Sequence, residues 1–164
     1  MKTNERVTYS AQAPPGAGFA TDSAGRVSGV AILWDVSSRD RGGYRDRFAR
    51  GSIGAAGDVV ALFGHDPTAV LGRTSAGTLR LQSKDDGVHF SLDLPDTQAG
   101  RDLLTSMKRG DVNQCSFSAQ ITEEDWDYNR VLQTPVRTVL AAELLEVSIV
   151  AVPAFPATTA EVVE

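Results

Sequence analysis

Two short runs in the middle of the chain alternate apolar and polar residues: Leu79 and Leu81 in one, Val88, Phe90, Leu92 and Leu94 in the other. Between them stands Asp85-Asp86-Gly87. Period-two alternation places all the apolar side chains of a run on one face of a strand. Asp-Gly supplies the backbone conformations that a tight hairpin turn requires. The two runs therefore read as an antiparallel hairpin with one buried face, which commits this part of the chain to sheet.

Other segments point the same way. Val30-Ala31-Ile32-Leu33-Trp34 is continuously apolar and suits a strand buried on both sides, and Asp58 to Phe63 reads as a second buried strand. Gly64-His65-Asp66-Pro67 then breaks the run as a turn or bulge, and Ala69 to Thr74 resumes it. Tyr44, Phe48 and Ile53 could seat a short turn or helix. The clearest helix is Pro95 to Asp111: Asp96 or Thr97 caps it, and Ala99, Leu103 and Met107 recur at four-residue steps. Lys108 and Arg109 complement its C-terminal end and Gly110 terminates it. Val112 to Glu123 reads as a strand, Glu124 to Arg130 as a polar turn, and Val131 to Pro153 as one or two further strands. A short strand at Val7 to Gln12 is a weaker expectation. The expected class is β-rich α+β: a closed or nearly closed, antiparallel-dominated β-barrel of about six to eight strands flanked by a few helices, since closure removes exposed edges. Residues 1–25 are expected to be loosely ordered, residues 26–156 to form a single domain, and residues 157–164 to form a loose tail.

The totals exclude several classes of function. The 164 residues allow one domain with a sizeable core. A net charge of −5 with both signs scattered lacks the basic stripe that a nucleic-acid backbone requires. A single cysteine, Cys115, rules out an intrachain disulfide and a zinc site built on cysteines. His65 and His89 are the only histidines, too few for a His-rich metal centre, and no cofactor is indicated. No apolar run approaches the length of a membrane span, and the first residues lack the apolar stretch of a signal peptide. An intracellular protein is the expectation.

The scarcity of imidazoles makes a search for chemistry short. A hydroxyl nucleophile needs a base to take its proton, and the base needs a third group to hold its tautomer. His65 sits where Gly64 and Pro67 could aim it into a cleft, although a surface-turn histidine is the plainer reading. His89 lies between Val88 and Phe90 and reads as a solvent-facing strand residue. In Gln114-Cys115-Ser116-Phe117-Ser118, strand parity puts Cys115 and Phe117 on one face and Ser116 and Ser118 on the other. Cys115 then reads as a small core residue, which disfavours a cysteine hydrolase. Glu146, between Leu145 and Val147, is costly to bury unless paired, and an imidazole or one of the arginines could pair it. Glu143 is the nearby competitor, in a setting that reads as helical or loop-like. These groups allow a Ser-His-Glu arrangement drawn from three separate segments.

Four stretches, in this order, resemble the prohead proteases (capsid maturation proteases) of tailed bacteriophages. They are Gly29 to Ile53, Ala61 to Arg73 with its His-Asp and Leu-Gly-Arg, Leu94 to Gln120, and Leu144 to Thr158 with its Glu-Val-Ser and Pro-Ala-x-Pro. The resemblance spans about Val27 to Thr158 and implies a serine endopeptidase, similar in fold to herpesvirus assembly proteases. It assigns Ser116 as nucleophile, His65 as general base and then acid, and Glu146 as the acid that orients the imidazole. It further implies a homodimer acting inside the assembling procapsid in the host cytoplasm. Its substrates would be scaffold protein or the scaffold-like part of the major capsid protein, and the chain itself. Where the family often has Ser-Phe-Gly-Phe, this chain has Ser116-Phe117-Ser118-Ala119. Ser118 is thereby a candidate hydrogen-bonding neighbour of the nucleophile, and a non-catalytic capsid-assembly module on the same fold is the alternative. For the oxyanion, Gly72-Arg73 and the segment Val152 to Ala154 are the candidates.

Overall fold

The structure is a computed structural model that describes residues 2–11, 25–54, 57–152 and 159–163. Along them run strands β1 (Lys2–Ala11), β2 (Arg26–Leu33), β3 (Arg45–Phe48), β4 (Val60–Phe63), β5 (Asp66–Arg73), β6 (Leu79–Ser83) and β7 (Gly87–Asp93). Helix α1 (Gln98–Arg109) follows, then β8 (Gln114–Asn129), β9 (Thr134–Val150) and β10 (Thr159–Val163). The ends expected to be loose thus contain strands at Lys2–Ala11 and Thr159–Val163, while residues 12–24 and 153–158 lie outside the described residues.

The predicted hairpin forms between β6 and β7, with Leu79 opposite Leu92 and Leu81 opposite Phe90. Gly87 opens β7, and a Cβ there would stand 2.0 Å from the Ile32 carbonyl oxygen, so the close approach of β2 requires glycine. The helix forms as its signals dictate. The Thr97 hydroxyl accepts from the Gly100 amide, Gly110 closes the last turn in the left-handed conformation, and Leu103 and Met107 are buried.

The strands make two sheets. A six-stranded sheet has the order β1-β8-β9-β4-β5 with β3 also on β9, and a four-stranded sheet has the order β10-β2-β7-β6. The barrel expectation is not confirmed: among the described residues neither sheet closes on itself. β9 receives β3 and then β4 along the same side, both parallel, while β6 leaves β5 to pair with β7. One core lies between the sheets. Val27, Ala31, Phe90 and Leu92 of the smaller sheet meet Phe117, Leu144, Val147 and Ile149 of the larger one, and Leu103 and Met107 of α1 join them.

Two segments differ from their local reading. Glu124 to Asn129 continues β8 as strand, and the chain reverses only at residues 130–133. Long-range partners hold this polar strand. Buried Arg137 on β9 donates through Nε to Asp46 at 2.6 Å and through Nη1 to Glu124 at 3.4 Å, and its guanidinium lies 5.3 Å from the Tyr44 ring centroid. Arg45 to Phe48, read as a short turn or helix, is strand for the same reason: it pairs in parallel with Val136 to Val139.

Candidate active site

The site grows out of the pairing of β8 with β9. Ser116 faces Ser148 and Ser118 faces Glu146. Directly opposed residues of an antiparallel pair share a face, so Ser116, Ser118, Glu146 and Ser148 stand on one side of the sheet. All four are buried, as is Gln114. The opposite side carries Cys115, Phe117, Val147 and Ile149 into the core. The parity reading of the sequence therefore holds. Burial, reinforced by the negative charge of Glu146, pushes the Cys115 thiol far up, which keeps it protonated at neutral pH.

A bulge keeps Glu146 on the polar side. Ser118 pairs with Glu146, yet Ala119 pairs with Leu144, so Leu145 is the extra residue of β9. Without it, Leu144 and Glu146 would face the same way. With it, Leu144 enters the core and the carboxylate stays beside the serines.

His65 arrives from the next strand over. Phe63 and Asp66 pair at the β4–β5 hairpin, leaving a two-residue loop of Gly64 and His65, and both have positive φ, at 64° and 63°. That is the signature of a type I′ turn. Glycine meets its demand freely, but at His65 the left-handed conformation costs roughly 1–2 kcal/mol. Hydrogen bonds across to β9 hold it in place. The Gly64 amide donates to the Ile149 carbonyl at 2.9 Å, and the His65 amide donates to Ser148 Oγ at 3.2 Å.

From this turn the imidazole reaches back over β9, where its Nδ1 lies 2.5 Å from Glu146 Oε1. Ser148 Oγ donates to the same oxygen at 2.5 Å, and Ser118 Oγ donates to Oε2 at 3.2 Å. Burial pushes the Glu146 carboxyl up, but the hydrogen bonds from His65, Ser148 and Ser118 outweigh it, and the group is held below the usual glutamate value. An ionised carboxylate only accepts, so Nδ1 carries the proton and Nε2 of a neutral imidazole presents its lone pair. His65 Nε2 is buried and has no hydrogen-bond partner among the described residues, and neither has Gln114 Oε1. The arrangement can hold a base in one tautomer through the carboxylate to which Ser118 and Ser148 also donate.

Ser148 was not singled out from the sequence. Its signal was available as the residue two places beyond Glu146 on the same strand face. The remaining candidates lie elsewhere. Gly72 and Arg73 are on β5, three strands from β8, which is about 14 Å at the usual strand spacing. The Arg73 amide donates to Thr78 and its side chain pairs with Asp58. The site therefore does not gather these two oxyanion candidates. Val152 is exposed, and residues 153–154 lie outside the described residues. Glu143 is exposed on β9, in strand rather than helix or loop, and His89 is half-buried on the other sheet with Nε2 2.8 Å from Asp86.

Comparison with known proteins adds one finding. The family model described as caudovirus prohead serine protease matches residues 17–164. No curated protein and no solved structure matches the chain significantly.

Proposed function

The chain belongs to the caudovirus prohead serine protease family, and from that premise we propose that it is a serine endopeptidase with Ser116 as nucleophile, His65 as base and Glu146 as the group that orients it. The observation that carries this reading is the 2.5 Å contact of His65 Nδ1 with Glu146, which leaves buried Nε2 without a partner. Ser148, the direct cross-strand neighbour of Ser116, also accepts from the His65 amide, so the imidazole and the nucleophile are fixed to the same residue. In the proposed reaction Ser116 Oγ attacks the scissile carbonyl carbon and its proton passes to His65 Nε2. The tetrahedral intermediate collapses as the imidazolium returns that proton to the leaving amine. Water then repeats the sequence on the acyl-enzyme. Glu146 stabilises the imidazolium throughout, and the hydroxyls of Ser118 and Ser148 hold the carboxylate in place.

The substrates are scaffold protein, or the scaffold-like part of the major capsid protein, and the chain itself, cut inside the assembling procapsid by a homodimer. Co-expression with the cognate capsid and scaffold proteins tests this, read by gel and intact mass. Discrete fragments are expected with the wild-type chain and none with Ser116→Ala. One observation favours a second reading, a non-catalytic assembly module: Ser116 is 0% exposed. Identical behaviour of wild type and Ser116→Ala in processing and in capsid binding would select it.

A further inference from the structure

Strand β1 sits in an unusual place. It pairs antiparallel with β8 and forms the edge of the larger sheet on the side of the nucleophile. The pairing runs without a register shift from Glu5 opposite Ile121 to Ala11 opposite Cys115, so that Ser10 lies directly across from Ser116. Residues 2–11 fall outside the family-matched region 17–164. The matched domain by itself would leave the β8 edge open, exposing a row of backbone donors and acceptors alongside Ser116. The other edge of the sheet, β5, is three strands away. Two buried polar atoms of the site, His65 Nε2 and Gln114 Oε1, also lack partners among the described residues.

We propose that the edge of β8 is the docking surface for an extended polypeptide substrate, which adds as a strand, and that β1 is its intramolecular occupant and must leave before a substrate enters. The proposal rests on the endopeptidase reading for what happens after docking, but not for docking itself. An extended chain on this edge gains main-chain hydrogen bonds over its length, the commonest way in which sheets capture peptides. It also places a backbone carbonyl one strand spacing, about 4.8 Å, from the Ser116 backbone. Pairing on one side only among the described residues makes β1 the kind of element that opens at low free energy. The closed arrangement accounts for the complete burial of Ser116 in a protein whose substrate is another chain.

The test uses the full-length chain. Ala11 faces Cys115, the only cysteine, so Ala11→Cys allows β1 to be locked to β8 by oxidation and released by reduction, the bond being verified by intact mass. A fluorescein-labelled peptide with the sequence of Lys2 to Ala11 is the binding probe, and processing of the cognate capsid protein is the catalytic readout. The reduced protein should bind the peptide and process capsid protein, and the oxidised form should lose both by more than about tenfold, because the competent fraction vanishes. Peptide binding that is gated by oxidation while neither form cleaves would leave the docking edge standing and remove the endopeptidase reading. Equal binding in the two forms, or cleavage at equal rates in both, would overturn the proposal. A second variant, Thr8→Pro with Tyr9→Pro, removes two successive β1 amides, one of which points toward β8, and needs no cross-link. It should raise peptide binding above wild type, and unchanged or weaker binding by a folded protein would overturn the proposal as well.

Discussion

Replacing Glu146 by Gln isolates the charge that the proposed mechanism needs. Three donors converge on the carboxylate, His65 Nδ1–H and Ser148 Oγ–H at 2.5 Å and Ser118 Oγ–H at 3.2 Å. A glutamine can keep its oxygen toward His65 and Ser148 and turn its amide toward Ser118, whose hydroxyl rotates to accept. The tautomer of His65 then survives, and the loss is the attraction between carboxylate and imidazolium. For charge centres about 4 Å apart at an effective dielectric near 20, that attraction is about 4 kcal/mol, which corresponds to about a 10³-fold fall in kcat. KM should not move, because the charge pair exists only after proton transfer. A loss smaller than about tenfold, or one expressed in KM alone, would refute the reasoning. The same variant reports on stability. The Glu146 carboxyl is held below its ordinary value of 4.5 in the folded protein. Its contribution is therefore fully present above that ordinary value and disappears as pH falls through the lowered folded value. Wild type should lose stability relative to Glu146→Gln across that acidic window in denaturant titrations, and a constant difference between them from neutral pH to below that window would contradict the ionised state inferred here.

Three further outcomes follow from named contacts. Ser148→Ala removes the acceptor of the His65 amide and one donor to Glu146, so kcat should fall roughly ten- to hundredfold through misplacement of the imidazole, with about 1–2 kcal/mol lost in chemical denaturation. Cys115→Ala leaves a small cavity in the core and should cost about 1–2 kcal/mol, while processing of capsid protein stays at wild-type rates. Arg137→Met strands the carboxylates of Asp46 and Glu124 without their buried cation and should cost about 3–5 kcal/mol, read as a fall in the denaturation midpoint.

The sequence exposed those parts of the fold whose partners are near in the chain. The β6–β7 hairpin, α1 with its caps and the turn at Gly64-His65 each carry their signals within a few residues. Pairing between distant segments left no such mark. Nothing local in Arg45 to Phe48 says that it lies parallel to Val136, and nothing in Glu124 to Asn129 says that Arg137 and Asp46 hold it extended. Whether the sheets close was illegible on the same ground, because closure depends on which distant strands pair.

The site divides along the same line. Parity alone separates Cys115 from Ser116, since β8 is unbroken from Gln114 to Ser118. Parity cannot choose between the two glutamates of Ala142-Glu143-Leu144-Leu145-Glu146. Unbroken alternation sends Glu143 and Glu146 to opposite faces and puts Leu144 with Glu146. The register shows otherwise: Glu143 pairs with Gln120 and Glu146 with Ser118, two residues of one face, and Leu145 is the bulged residue between them. Both glutamates thus lie on the polar side, and depth distinguishes them, with Glu143 exposed and Glu146 at 6%. Ser148 follows Glu146 onto that face and gains its contacts only because the Gly64-His65 turn is pinned to Ile149. One extra residue in β9 therefore puts both acids on the face of the histidine, and their depth in the sheet decides which one meets it; both rest on strand register, which the amino-acid pattern does not display.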